Sequence, residues 1–216
     1  MFLSRKAQLV APEQTLPGRD ERRFALADRH VVLGTPVVTD EVPDGHEVAI
    51  FGLGCFWGAE EIYWQVPGVW STSVGYAGGT TPNPTYEEVC SGATNHTEAV
   101  RIVFDPSRVS YADLVKTFFE VHDPTQGFRQ GNDVGTQYRS AIYWTTPEQE
   151  QTARELTKVY GDELARRRLG EITTEIRPAS ETPYFYAEDH HQQYLAKNPF
   201  GYRCHANTGV RFPETA

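Results

Sequence analysis

The chain predicts an α+β domain: a split βαβ, ferredoxin-like core with a mixed sheet, preceded by an extended N-terminal arm and followed by a coil C-terminal tail. Three observations lead there. Between 47 and 145 the segments run strand, helix, strand, strand, helix, strand, which is the order of a split βαβ unit. Ahead of residue 46, Pro12, Pro17, Gly18, Gly34, Pro36 and Pro43 punctuate the chain with no sustained apolar period. Beyond residue 197, Pro199, Gly201, Gly209 and Pro213 return it to coil. The expected division is therefore an arm over 1–45, a folded domain over 46–197 and a mobile tail over 198–216.

Each element has its own signal. Residues 47–53 form a short apolar run, a strand ending in Gly52-Leu53-Gly54. A helix over 57–66 is stopped by Pro67-Gly68. Alternation over 69–76 predicts a second strand, and the Gly-, Pro- and Asn-rich stretch 78–84 a loop. A short helix is expected over 84–90. Val100, Ile102 and Phe104 share one face of a strand over 98–104, which Asp105-Pro106 ends. Ser110 is placed to cap a helix to Val121, with Leu114, Val115, Phe118 and Phe119 facing inward. The stretch 122–137 reads as a long loop, and loops of that length in compact domains usually carry function. A strand over 138–145 follows, then a helix from Pro147 to about 168 with proline at its first position. A strand over 171–176 and a last helix over 184–197 complete the reading.

A chain of 216 residues suits one domain with extensions, or at most two, and 39% hydrophobic residues suffice for a core. The net charge of −9 argues against a nucleic-acid or anionic-membrane partner, since both need a basic face. No apolar run is long enough to span a bilayer, and Met1-Phe2-Leu3-Ser4-Arg5-Lys6 lacks the apolar stretch of a secretory signal. Three widely spaced cysteines do not form a secreted disulfide framework. They fit a reducing, cytoplasmic setting in which a thiol does chemistry, in a monomer.

The chemistry centres on Gly54-Cys55-Phe56-Trp57-Gly58, at a strand-to-helix junction. Unpaired N–H groups and the positive end of the helix dipole there favour a thiolate at Cys55, and the thiolate is the nucleophilic form. The flanking glycines keep bulk from the sulfur and tolerate a tight turn. Phe56 and Trp57 set two aromatic faces beside it. The competing reading is an inert buried cysteine among core aromatics.

These residues resemble the active-site motif of the peptide methionine sulfoxide reductase A family. So, in order, do Gly75-Tyr76-Ala77-Gly78-Gly79, Pro82-Asn83-Pro84-Thr85-Tyr86, Asn95-His96-Thr97-Glu98, His122-Asp123-Pro124, the stretch from Gln130 to Ser140, and Glu188-Asp189-His190-His191-Gln192-Gln193-Tyr194. The resemblance spans about 46–202. It implies reduction of methionine-S-sulfoxide, free and in proteins, for repair of oxidative damage. It implies Cys55 as nucleophile, passing through a sulfenic acid, with Glu98 as the acid that protonates the departing oxygen. A carboxyl in an apolar pocket can stay protonated near neutrality, which also removes its conflict with an adjacent thiolate. By the same resemblance Tyr86 and Tyr138 hydrogen-bond the sulfoxide oxygen, Phe56 and Trp57 enclose the S-methyl group, and Asp133 orders the site. No cofactor is implied. The reductant is an external dithiol, thioredoxin or a similar protein.

A second thiol must capture the sulfenic acid. Cys204 lies in the Gly- and Pro-rich tail and is the expected resolving cysteine. Here the chain departs from family members that carry a cysteine directly after Gly-Tyr and a second near the end. Arg203 follows Tyr202, and Val210-Arg211 stands where the second would fall, so one resolving cysteine is expected. Cys90, on the short helix, reads as a small buried hydrophobe. No metal is expected, because the histidines and cysteines fall at no zinc-finger spacing. Two alternatives stay open on sequence: a cysteine peroxidase, and a non-catalytic module that binds oxidised methionine.

Overall fold

The computed structural model describes residues 7–214; the first six residues of the expected arm and the last two of the expected tail lie outside the described residues. Its centre is a six-stranded sheet. The strands are β1 (Glu47–Leu53), β2 (Val69–Ala77), β3 (Thr97–Phe104), β6 (Ser140–Trp144), β7 (Glu175–Pro178) and β8 (Phe185–Tyr186), in the spatial order β7-β6-β1-β3-β2-β8. The central pairs β6-β1, β1-β3 and β3-β2 are antiparallel, whereas β6-β7 is parallel, so the sheet is mixed. A separate two-stranded ribbon, β4 (Arg129–Gln130) with β5 (Asp133–Val134), lies within the stretch read as loop.

Three helices, α1 (Phe56–Trp64), α3 (Tyr111–Val121) and α4 (Pro147–Arg166), contribute to the main core. Phe51, Ile102 and Phe104 from the sheet meet Tyr63, Phe118, Phe119 and Tyr160 there, all essentially solvent-free. The caps follow the sequence reading: the Ser110 hydroxyl accepts from the Asp113 N–H, and Thr146 from Gln149, with Pro147 opening α4. A five-residue helix, α2 (Tyr86–Cys90), carries a full capping box between Thr85 and Glu88.

Four segments differ from expectation, the first being the strand expected over 171–176, which starts only at Glu175 and runs to Pro178. The stretch 184–197 is not one helix: only α5 (Tyr194–Lys197) is helical, preceded by β8 and a turn in which Gln193 is left-handed (φ 47°). The cause is tertiary. The side chain of Gln192 pairs with the backbone of Val74 and Ala187, while both the N–H and the side-chain amide of Gln193 donate to buried Glu60, bonds that a continuous helix would break. Tyr138 lies in a short 3₁₀ turn, Thr136–Tyr138, rather than on the strand. The tail is not mobile throughout: Val210 and Phe212 are buried in the main core, and the Tyr160 hydroxyl donates to the carbonyl of Val210.

The Phe212 ring stacks on Tyr160 at 5.6 Å and 12°, so it is a core side chain although it stands only four positions before the last residue, Ala216. Phe212→Ala is expected to destabilise the fold by about 3 kcal/mol in urea titrations, the usual cost of a phenyl-sized cavity; a loss under about 1 kcal/mol would show that the tail is not anchored there.

Candidate active site

β1 delivers the chain to Gly54, which has a left-handed backbone (φ 94°) and where a Cβ would come within 2.7 Å of Gln130. A glycine is required at that position. Gly58 differs, because a Cβ there would meet nothing within 4 Å. Cys55 then caps α1. One of the unpaired N–H groups at the helix start is used at once: Phe56 N–H donates to Glu98 Oε2 at 3.0 Å, and the Trp57 N–H lies close enough to the Cys55 sulfur to favour its anion without capping it. Glu98 projects from β3, 2% exposed.

Cys55, Phe56, Trp57, Tyr86, Glu98, Asp133, Tyr138 and Tyr202 together line a cavity of about 230 Å³. Seven of these eight were expected from the sequence. Tyr202 was not; it enters from the tail, and its hydroxyl donates to Asp133 Oδ2 at 3.0 Å. Larger hollows elsewhere, such as one beside Asp113 and Phe212, contain no cysteine in their linings.

The walls are held from behind. The backbone N–H of Tyr86 donates to Glu188 Oε1 at 2.8 Å, and the other oxygen of Glu188 accepts from the Tyr76 hydroxyl. The Trp57 indole stacks on Tyr194 at 3.9 Å and donates to His191 Nδ1 at 3.1 Å. Burial lowers the pKa of His191 to about 3, so its ring stays neutral and keeps a lone pair for that bond. Within the quoted motif, Glu188 and His191 gave no local sign of these roles, since their partners are about a hundred residues away or more.

The electrostatics correct the thiolate expectation. Burial and the nearby Glu98 carboxyl push the Cys55 thiol well up, against the smaller opposing pull of the Trp57 N–H. The resting group is a neutral thiol. Burial also raises Glu98 to about 8, with Phe56 N–H acting the other way, so this carboxyl is protonated at neutral pH. Burial pushes the Tyr86 and Tyr138 hydroxyls up, which keeps them as donors.

Two further cysteines lie nearby. Cys204 is half-buried, 3.6 Å from the carbonyl oxygen of Gln130 and close enough to Cys55 for its charge to raise that thiol. Cys90 is not the buried hydrophobe expected. It is half-buried at the end of α2, and its thiol contacts the Tyr86 hydroxyl. Among the described residues no group of three His, Cys, Asp or Glu side chains is arranged to hold a metal, and no helix is long and apolar enough to cross a membrane.

A half-buried thiol and a protonated carboxyl at one helix start, facing two phenols across an aromatic-walled cavity, define a thiol oxidoreductase with an acid beside its nucleophile. The family model described as peptide methionine sulfoxide reductase matches residues 47–215. A relative named peptide methionine sulfoxide reductase MsrA from Salinispora arenicola is 58% identical over 216 residues, 99% of this chain and 96% of its own. The solved methionine sulfoxide reductase A of Corynebacterium diphtheriae is 51% identical with a TM-score of 0.86, over 96% of this chain and 100% of its own. The reduced form of Mxr1 from Saccharomyces cerevisiae is 29% identical with a TM-score of 0.70, over 78% and 96%. The chain belongs to the peptide methionine sulfoxide reductase family: it is an oxidoreductase that reduces methionine sulfoxide by thiol chemistry.

Glu98 also links pH to stability. Its folded pKa lies above its ordinary value of 4.5, at about 8. Between those values the folded state holds a proton that the unfolded state has lost, so this carboxyl's contribution falls as pH rises through that window. Glu98→Gln, which stays neutral, is expected to gain stability relative to wild type across it. Parallel melting curves in pH are the measurement, and a constant difference would contradict the assigned shift.

Proposed function

We propose that Cys55 reduces methionine-S-sulfoxide, free and in proteins, with Glu98 as proton donor and Cys204 as resolving thiol, in repair of oxidative damage. The observation that carries this reading is the protonated Glu98 carboxyl buried beside the Cys55 thiol in a cavity wide enough for one side chain. In the proposed pose, the Tyr86 and Tyr138 hydroxyls and Glu98 surround the sulfoxide oxygen. Phe56 and Trp57 face the S-methyl group, since methyl and sulfur both pack well on aromatic rings. Asp133, bonded to Tyr202, orders the rim.

The chemistry balances as a two-electron transfer. Glu98 gives its proton to the sulfoxide oxygen, which weakens the substrate S–O bond, and the carboxylate left behind is the base beside the Cys55 thiol. The Cys55 sulfur takes the oxygen as the substrate S–O bond breaks, and its thiol proton passes to Glu98. The products are methionine and a Cys55 sulfenic acid. Cys204 then attacks that sulfur, a Cys55–Cys204 disulfide forms, and water leaves. A dithiol protein, thioredoxin or one like it, reduces the disulfide. No resident cofactor enters any step.

The same reading covers the chain's organisation. The central order β6-β1-β3-β2, all antiparallel, with α1 and α3, supports a ferredoxin-like split βαβ unit inside a catalytic domain over 46–197, with 1–45 as arm and 198–216 as tail. The acidic balance supports a protein that works without nucleic acid or membrane, and three widely spaced cysteines a reducing, cytoplasmic setting; a monomer is the proposed state.

Three substitutions test the roles. Cys55→Ser is expected to abolish turnover with dithiothreitol, and retained turnover would remove Cys55 from the nucleophile position. Glu98→Gln should lower kcat by ~10²–10⁴, the range of a lost general acid, in a folded protein. Cys204→Ser should keep activity with dithiothreitol, which reduces a sulfenic acid directly, and lose it with thioredoxin, which needs a disulfide. Full thioredoxin turnover in that variant, or a Cys55–Cys90 linkage in the oxidised wild type, would overturn the resolving role.

A further inference from the structure

Among its contacts, the arm is tied to the helix that carries Tyr86 and to the turn that backs Trp57. At one end, Arg19 forks onto Glu88 of α2, with Nη2 to Oε1 at 2.5 Å and Nη1 to Oε2 at 3.0 Å, and its backbone N–H donates to the carbonyl of Pro82. Asn83 returns the contact by donating to the carbonyl of Arg19. Gly18 fixes the approach: its backbone is left-handed (φ 67°), and a Cβ would come 2.3 Å from the Pro82 oxygen. At the other end, Ala27 N–H donates to Asp189, and His30 sits buried against Thr72, 3.8 Å from the Glu60 carboxyl that holds Gln193.

What these two ends grip is informative. α2 has five residues, too few to be stable as a helix alone, so tertiary ties set where Tyr86 stands. Its ties run to Glu188 from one side and to Arg19 from the other, with Val89 packed among Phe56, Val74 and Ala187. The turn 188–193 supplies Glu188 to Tyr86 and His191 to Trp57. The arm thus closes a ring: α2, arm, turn, and back to α2 through Glu188. Arg19 matches Glu88 in two-pronged geometry, which restricts orientation as well as distance, as a single lysine charge would not.

We propose that Arg19 is a positioning residue for sulfoxide binding: acting through Glu88, the arm holds α2 so that the Tyr86 hydroxyl faces the substrate oxygen. The proposal rests on the role assigned to Tyr86 above.

The test is a double-mutant cycle on the full chain, with dithiothreitol as the sole reductant and the folded fraction checked by circular dichroism. Arg19→Met is expected to lower kcat/KM for free methionine sulfoxide by roughly tenfold, as a modest misplacement of a binding group does, mainly through KM. Arg19→Lys should recover part of that loss. Gly18→Ala, which leaves the ion pair's chemistry intact but displaces the arm, should lower kcat/KM in the same direction. In a Tyr86→Phe background, Arg19→Met should add little, because the hydroxyl it positions is gone. KM does not depend on how much of the enzyme is folded, so a mere loss of folded protein would leave KM unchanged. An unchanged KM in Arg19→Met, or losses from Arg19→Met and Tyr86→Phe that simply multiply, would overturn the proposal while leaving the role of Tyr86 standing. A wild-type rate in Tyr86→Phe alone would instead remove that role, and this proposal with it.

Discussion

The bond from the Phe56 N–H to the Glu98 carboxyl ties the central strand β3 to the first turn of α1, and the site is assembled around it. One helix start serves two acidic groups, because the next N–H, of Trp57, points at Cys55. A helix terminus offers an anion ~0.3–1 kcal/mol when exposed and up to about 2 when partly buried. Burial here is the larger effect. Each tenfold change in proton affinity is worth about 1.4 kcal/mol, and Glu98 rises from 4.5 to about 8 despite its N–H partner. Two buried anions in contact would be worse still, so both groups rest neutral. This arrangement suits an enzyme whose substrate brings the oxygen that must be protonated. The acid is loaded before the nucleophile ionises.

That balance explains why the sequence reading of Cys55 was half right. The junction, Gly54 and the adjacent aromatics were all legible locally, because each depends on a neighbour within a few residues. The ionisation state was not. It depends on how far Glu98, forty-three positions on, is withdrawn from water, and no local pattern records that. Glu98 itself, Tyr86, Tyr138 and Asp133 were reachable only through the family's motifs. Each sits on a different element, and periodicity gives no reason to bring them together. Tyr202 illustrates the remainder: it stands in coil, on a segment whose course is set by contacts with Asp133 and, through Arg203, with Glu61.

The fold divides along the same line. Strands β1, β2, β3 and β6 and helices α1, α3 and α4 were legible to within a few residues, because a buried face imposes its period on the sequence. The stretch 184–197 was not, although its residues favour a helix. Glu188, His191, Gln192 and Gln193 each direct a polar group to a partner across the molecule, and those bonds outweigh the weak preference of the local chain. The described parts of the extended arm and the coil tail hold their course for a related reason. Single anchors such as His30, Val210 and Phe212 fix them, and isolated anchors carry no periodicity.

The anchoring of the tail bears on the resolving step. Val210 is held in the core, and on the other side Asn198 closes α5, so Cys204 lies in a loop tethered at both ends. Within that loop, Arg203 pairs with Glu61 of α1 at 2.7 Å, and Tyr202 bonds Asp133 on the cavity rim. Cys204 itself rests against Gln130, the residue that also abuts Gly54. In the proposed disulfide step, the Cys204 sulfur would move toward Cys55 while Val210 stays in place. Six residue steps from 204 to 210 span up to roughly 20 Å extended, ample for a local swing. The cavity that receives the sulfoxide and the path of the second thiol therefore share one lining residue, Tyr202. Under the proposed chemistry, reduction of the sulfoxide and capture of the sulfenic acid occur in sequence because the two occupants exclude each other.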